Sequence, residues 1–253
     1  VKRPRHFRRG ASILPSLFTT GNLFLGFWSI VKALDGRFAE AAPLIGGAVI
    51  LDMLDGRIAR LTGTQSEFGA ELDSLADAVS FGVAPALLAY VWALHLVPRA
   101  GWPAAFLFLV CGVLRLARFN VQKHVVDSRF FVGLPIPAAA AQVAALVFFV
   151  PEPPTEVWPA ALVLGMVVAL GGLMVSTFRY RSFKGVDLKR RRRSISVLGI
   201  ALLFLLIYVH PPMTLLAAAT LYSLSGPAAY AWGVWRRRRE PSPEVAQQPQ
   251  ASP

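Results

Sequence analysis

Apolar runs of roughly 20 residues, separated by short polar or basic breaks, recur along the whole chain and predict helices that cross a lipid bilayer. Eight spans fit the pattern, at about 13–34, 39–61, 68–95, 101–121, 134–150, 156–178, 194–210 and 213–235. The expected fold is therefore all-α, a polytopic transmembrane helical bundle. Two runs break the apolar rule: the second holds Asp52 and Asp55, and the third holds Asp73 and Asp77. Ionised side chains at that depth are costly and mark function by default.

Composition agrees with the pattern. Of 253 residues, 55% are hydrophobic and the mean hydropathy is +0.53, more apolar sequence than a soluble core needs. The net charge of +12 suggests nucleic acid, anionic lipid or an orientation signal, and its distribution decides between them. With the first tail inside, 23 of the 26 basic residues fall on the inner side, leaving Lys32, Arg37 and Arg99 outside. Such asymmetry predicts N-in and C-in ends. It also explains the basic blocks without nucleic acid, for which no recognition module is present. The basic start, the first apolar run and Ala39-Glu40-Ala41 imitate a cleavable leader, but the length of the run, Asn22 within it and the alternation of charge favour a retained first span.

Trp28, Trp92, Trp102 and Trp158 lie near expected outer span ends, and Trp232 and Trp235 near an inner one, as interfacial anchors do, while each one alone equally fits ordinary packing. The single cysteine, Cys111, falls in mid-span, which excludes an internal disulfide and a CxxC metal site and predicts a packing role. The organisation expected is a basic juxtamembrane segment over 1–12, a core of six spans over 13–184, a basic loop with two further spans over 185–239, and a disordered Pro/Gln/Ser-rich tail over 240–253. Arg190 to Arg193 would serve equally as an orientation block or as an attraction for anionic lipid.

The chemistry concentrates in one pattern, D-x2-D-G-x2-A-R-x8-G-x3-D-x3-D, from Asp52 to Asp77. Eight specified positions make a chance match on the order of 10⁻¹⁰ per start position. On an ideal helix, with Asp52 at zero, Asp55 falls near about −60°, Gly56 +40°, Ala59 −20° and Arg60 +80°, all on one face. Gly69, Asp73 and Asp77 form a second stripe, each advancing only about 40°. A short connection makes these helices antiparallel neighbours and brings the stripes together. Four converging carboxylates repel unless protons or cations intervene, and hard divalent ions with oxygen ligands meet that need. Gly56, Ala59 and Gly69 clear bulk for a nucleotide or for a neighbouring helix. Arg60 adds a charge suited to phosphate.

As it stands at Asp52, Asp55, Gly56, Ala59, Arg60, Gly69, Asp73 and Asp77, the pattern resembles the signature of the CDP-alcohol phosphatidyltransferase family. Softer matches at Asp73 to Pro85, Leu114 to Asn120, Gly133 to Pro137 and Arg179 to Lys184 resemble the members that use serine as acceptor. The resemblance implies an integral membrane enzyme that transfers phosphatidyl from CDP-diacylglycerol to L-serine. It implies two divalent ions, Mg²⁺ or Mn²⁺, on Asp52, Asp55, Asp73 and Asp77, with Asp77 also the general base toward the serine hydroxyl. It further implies a CDP site at Asn22, Gly56, Ala59, Arg60 and Gly69, a homodimer, and a bacterial cytoplasmic membrane location with the site facing the cytoplasm. Upstream the chain departs from the family, with Leu14-Pro15-Ser16 in place of a Pro-Asn pair.

A serine carboxylate requires a cation. Arg115, Arg118, Arg179 and Lys184 are candidates, with Asn120 as a neutral partner, although each basic side chain would also suit the membrane interface. A glycerol 3-phosphate or inositol phosphate acceptor would demand more basic residues than these. A divalent-cation transporter would explain the acids but give the Gly and Ala positions no purpose.

Overall fold

A computed structural model describes residues 5–62, 66–122, 130–181 and 205–239. Helix α1 (Arg5–Leu34) turns sharply into α2 (Phe38–Thr62), and the two pack along their length. Helix α3 (Glu67–Asp77) passes through a π-helical turn (Ala78–Val83) into α4 (Ala84–Trp92). Then come α5 (Gly101–Gln122), strand β1 (Phe130–Val132), α6 (Ile136–Phe149), α7 (Val157–Val175), strand β2 (Arg179–Arg181) and α8 (Pro211–Arg239).

Four of these segments are long and apolar enough to cross a membrane: Ser16–Leu34, Glu67–Trp92, Gly101–Val121 and Val157–Val175. Helix α6 has 14 residues and is shorter than a bilayer span. Helices α2 and α8 are long enough but less apolar, α2 because it carries the acids. Most of the run expected over 194–210 lies outside the described residues.

Packing is inverted relative to a water-soluble protein. The core is rich in small residues such as Ala33, Ala41, Ala48, Ala89, Ala140 and Ala160, while Phe24, Phe27, Ile50, Phe106, Trp158 and Leu162 face outward. In lipid, large apolar side chains gain nothing by turning inward, and small ones let helix backbones approach. Cys111 is buried against Gly171, as a packing residue. Trp102 and Trp158 are exposed, as anchors should be, but Trp92 is not. Its ring is 4% exposed and its Nε1 donates to the Glu152 carbonyl at 3.3 Å, so it clasps the α6–α7 connection instead of meeting lipid.

The helical sequence pattern did not anticipate a short antiparallel ribbon in which Val132 pairs with Arg179, Phe131 with Tyr180 and Phe130 with Arg181. Gly133 follows with φ +80°, and a side chain there would overlap the Met174 carbonyl, so glycine is needed to turn the chain from β1 into α6. The ribbon joins Phe130–Val132, just before Gly133, to Arg179–Arg181, stretches that lie far apart in sequence.

Candidate active site

Two helices, α2 and α3, build the acid cluster, and α1 packs against it. Ser66 starts α3 by accepting from the Gly69 N–H at 3.0 Å, which fixes the phase of the following turns. Asp73 and Asp77 therefore emerge one turn apart toward α2. Asp52, Asp73 and Asp77 each offer a carboxylate oxygen within 4.8 Å of the others, so the two stripes meet.

Asp77 is the last residue of α3, and the π-helical turn begins directly after it. Single π turns in α-helices commonly sit at functional sites, because the extra residue re-aims side chains. This turn buries Ser80, whose hydroxyl donates to the Asn22 carbonyl at 3.0 Å. Gly26 on α1 lies flush against Ser80, where any Cβ would overlap its backbone and side chain, so the close approach requires glycine. Docked this way, α1 presents Asn22, whose Nδ2 donates to Asp77 Oδ1 at 3.2 Å. Its side-chain oxygen, Oδ1, is buried with no donor among the described residues.

Asp55 stands apart from the triad. It is buried and accepts a hydrogen bond from Thr19 Oγ1 on α1. Asp52, Asp73 and Asp77 share one cluster; Asp55 is a charge neighbour of Asp52 and lies about 60° round α2 from it, on the side where α1 presents the Thr19 hydroxyl.

The other sequence candidates divide. Gly56 is exposed, and a Cβ there would meet nothing within 4 Å among the described residues, so packing among them does not explain the glycine. Gly69 is occupied with the Ser66 cap, a structural duty. Ala59 and Arg60 lie on α2, with side chains outside the described atoms. Arg115 is buried on α5, lies over the Phe119 ring at 5.3 Å and is a charge neighbour of Asp77. Arg118 is exposed. Asn120 Nδ2 donates to Ser74 Oγ at 2.8 Å, tying α5 to the residue beside Asp73, while its Oδ1 is buried without a partner among the described residues. Arg179 enters through its backbone in the ribbon, and Lys184 lies outside the described residues.

Thr19 and Ser80 were not singled out from sequence. A signal for the first existed: Ser16, Thr19, Asn22, Gly26 and Ser29 recur every three or four residues on α1, a polar and small stripe within an apolar span.

The donor set is chemically coherent. Three carboxylates, a fourth close by and a buried amide oxygen form an all-oxygen environment, the kind that hard divalent cations select over softer metals. Carboxylates beside the exposed Gly56 suit a phosphorylated ligand held through such a cation.

The family description "CDP-alcohol phosphatidyltransferase" matches residues 12–178, and the chain belongs to that family. Among its relatives, it is 42% identical over 220 residues to the CDP-diacylglycerol–serine O-phosphatidyltransferase of Helicobacter pylori, covering 85% of this chain and 89% of the relative. Proteins of the same name are 36% identical in Bacillus subtilis, over 68% of this chain and 91% of that one, and 47% identical in Mycobacterium leprae, over 58% and 50%.

Proposed function

We propose that this protein transfers the phosphatidyl group of CDP-diacylglycerol to the hydroxyl of L-serine, giving phosphatidylserine and CMP. The observation that carries the reading is the meeting of Asp52, Asp73 and Asp77 within 4.8 Å, in a chain whose relatives bear that activity in their names.

Asp52, Asp55, Asp73 and Asp77 would hold Mg²⁺ or Mn²⁺, two ions in this reading. When bound, such ions neutralise phosphate charge and stabilise the leaving group of a displacement. The protein's own residues do the rest. Gly56 and Ala59 leave room for the cytidine along α2, and Arg60 pairs with its phosphate. Asn22 holds the Asp77 carboxylate in place through the 3.2 Å bond. Asp77 takes the proton of the serine hydroxyl as that oxygen bonds to the phosphorus bearing diacylglycerol. The bond from that phosphorus to the CMP oxygen breaks, and CMP departs with the electron pair. Arg115, with Asn120 nearby, receives the serine carboxylate; Arg118, Arg179 and Lys184 supply further positive charge around the entrance.

The same reading includes about eight spans with both ends inside, in a bacterial cytoplasmic membrane, as a homodimer. The concentration of 23 basic residues on one side supports the orientation. Serine and CMP then exchange with the cytoplasm while lipid enters sideways from the bilayer.

An acceptor panel tests the reading. Purified protein in detergent, given CDP-diacylglycerol and radiolabelled acceptors, should form product from serine and lose it on chelation. Product from glycerol 3-phosphate with none from serine overturns the assignment.

A further inference from the structure

Asn22 lies within the Ser16–Leu34 span of α1 and is fully buried, at 0% exposure. A carboxamide in that setting is costly unless both of its polar ends find partners. One end does: Nδ2 donates to Asp77 Oδ1 at 3.2 Å. The other, Oδ1, meets no donor among the described residues.

Chemistry fixes which way the amide points. A carboxylate only accepts, so the end that faces Asp77 is the NH2 group, and the carbonyl oxygen is the end left over. The two ends of one carboxamide are about 2.3 Å apart, which keeps Oδ1 within about 5.5 Å of the Asp77 oxygen. It therefore borders the cluster in which Asp52, Asp73 and Asp77 bring oxygens within 4.8 Å of one another.

The backbone holds the side chain there. The Ser80 hydroxyl donates to the Asn22 carbonyl at 3.0 Å, and Gly26, one turn farther along α1, lies flush against Ser80. Asn22 is thus clamped to the π-helical turn that begins directly after Asp77.

A hard divalent cation takes six or more oxygens, and amide carbonyls of asparagine are among its usual ligands. Three carboxylates leave such an ion short of donors and already crowd negative charge together. An amide oxygen adds a ligand without adding charge.

We infer that Asn22 Oδ1 is a further protein ligand to a divalent cation held by Asp52, Asp73 and Asp77, supplied by a helix outside the Asp52–Asp77 pattern. This assignment rests on the cation reading of the acid cluster and adds a neutral donor to it. Nδ2 holds the Asp77 carboxylate while Oδ1 binds the ion that the same carboxylate binds.

Two measurements on the full chain, free of nucleotide, test it. The chain has two asparagines, Asn22 and Asn120, so protein labelled with ¹³C at the asparagine carboxamides can be loaded with Mn²⁺ and read by electron–nuclear double resonance. A ¹³C coupling from a carbon within about 3.5 Å of the ion is expected, the distance of a ligated carbonyl, and Asn22→Asp should abolish it. Mn²⁺ titrations then separate the two ends of the side chain. Asn22→Leu, which removes both, should weaken binding at least about tenfold, since loss of even an outer partner of a metal site does so. Asn22→Asp keeps an oxygen and loses the N–H donor, and should stay within about threefold of the wild type or bind more tightly.

A labelled carbon no nearer than about 5 Å overturns the inference, because a ligated carbonyl cannot sit that far from the ion. Equal affinity in Asn22→Leu overturns it too. So does a loss in Asn22→Asp as large as in Asn22→Leu, which leaves Asn22 only its hold on Asp77. Wild-type protein that binds no Mn²⁺ defeats the cation reading itself, a failure seen before any variant is made.

Discussion

Glu40 and Asp52 lie on the same helix, about 18 Å apart along its axis, in opposite settings. Near the α1–α2 turn, Glu40 is exposed and pairs with Lys32 Nζ at 2.9 Å and with Arg37. Farther along α2, Asp52 gathers with Asp73 and Asp77, three charges of one sign. The first arrangement is electrostatically closed and asks for nothing more. In the second, each pair of charges repels by roughly 3 kcal/mol at the effective dielectric of a protein interior, a cost that a stable fold retains only where function uses it. The comparison teaches that the paired end holds the hairpin together, while the unbalanced end is shaped for a cation.

The largest effect expected from breaking the difference comes at Asp77. Asp77→Asn should lower kcat about a thousandfold, the scale of a lost general base, with CDP-diacylglycerol binding largely retained; CMP release and direct binding measure the two. Near-normal release would remove Asp77 from that role. Asp52→Asn comes next. It should raise the melting temperature in chelator by a few degrees, as repulsion is relieved, and abolish the further rise that Mg²⁺ gives the wild type. A fall in chelator would mean that the cluster is not strained by its charge.

Thr19→Val sharpens the comparison more gently. Without the hydroxyl that receives Asp55, activity should fall about tenfold, the scale of one charge-assisted hydrogen bond, with the Mg²⁺ requirement shifted to higher concentration. An unchanged Mg²⁺ dependence would show that Thr19 only packs. The smallest change belongs to the paired end: Trp92→Phe, which loses the indole bond to Glu152, should cost about 1 kcal/mol of stability and leave the kinetics alone. Altered kinetics there would break the separation of the two ends.

The acid cluster was legible in sequence because its geometry is local. Fixed offsets on two helices joined by a short link dictate one face each, and Asp52, Asp73 and Asp77 meet as those offsets require. Asp55 escaped because its partner, Thr19, comes from α1, and nothing in the spacing from Asp52 to Asp77 refers to that helix. The π turn after Asp77 was hidden, since its residues, Ala78 to Val83, read equally well as α-helix. The ribbon was least legible. It joins residues about 50 apart, and its Tyr180 is held through the Ser223 carbonyl by a helix whose sequence reads only as one more apolar span. For Trp92 an interfacial anchor and ordinary packing were both open, and the Glu152 carbonyl decides for packing.

The most direct test of the central claim is a Mn²⁺ titration of the purified protein followed by electron paramagnetic resonance, with Asp52→Asn, Asp73→Asn and Asp77→Asn alongside. Saturable Mn²⁺ binding in the wild type, weakened in each of the three variants, is the result expected if these carboxylates form a cation site. Binding of equal strength in all four proteins, or none in the wild type even with CDP-diacylglycerol present, would contradict it.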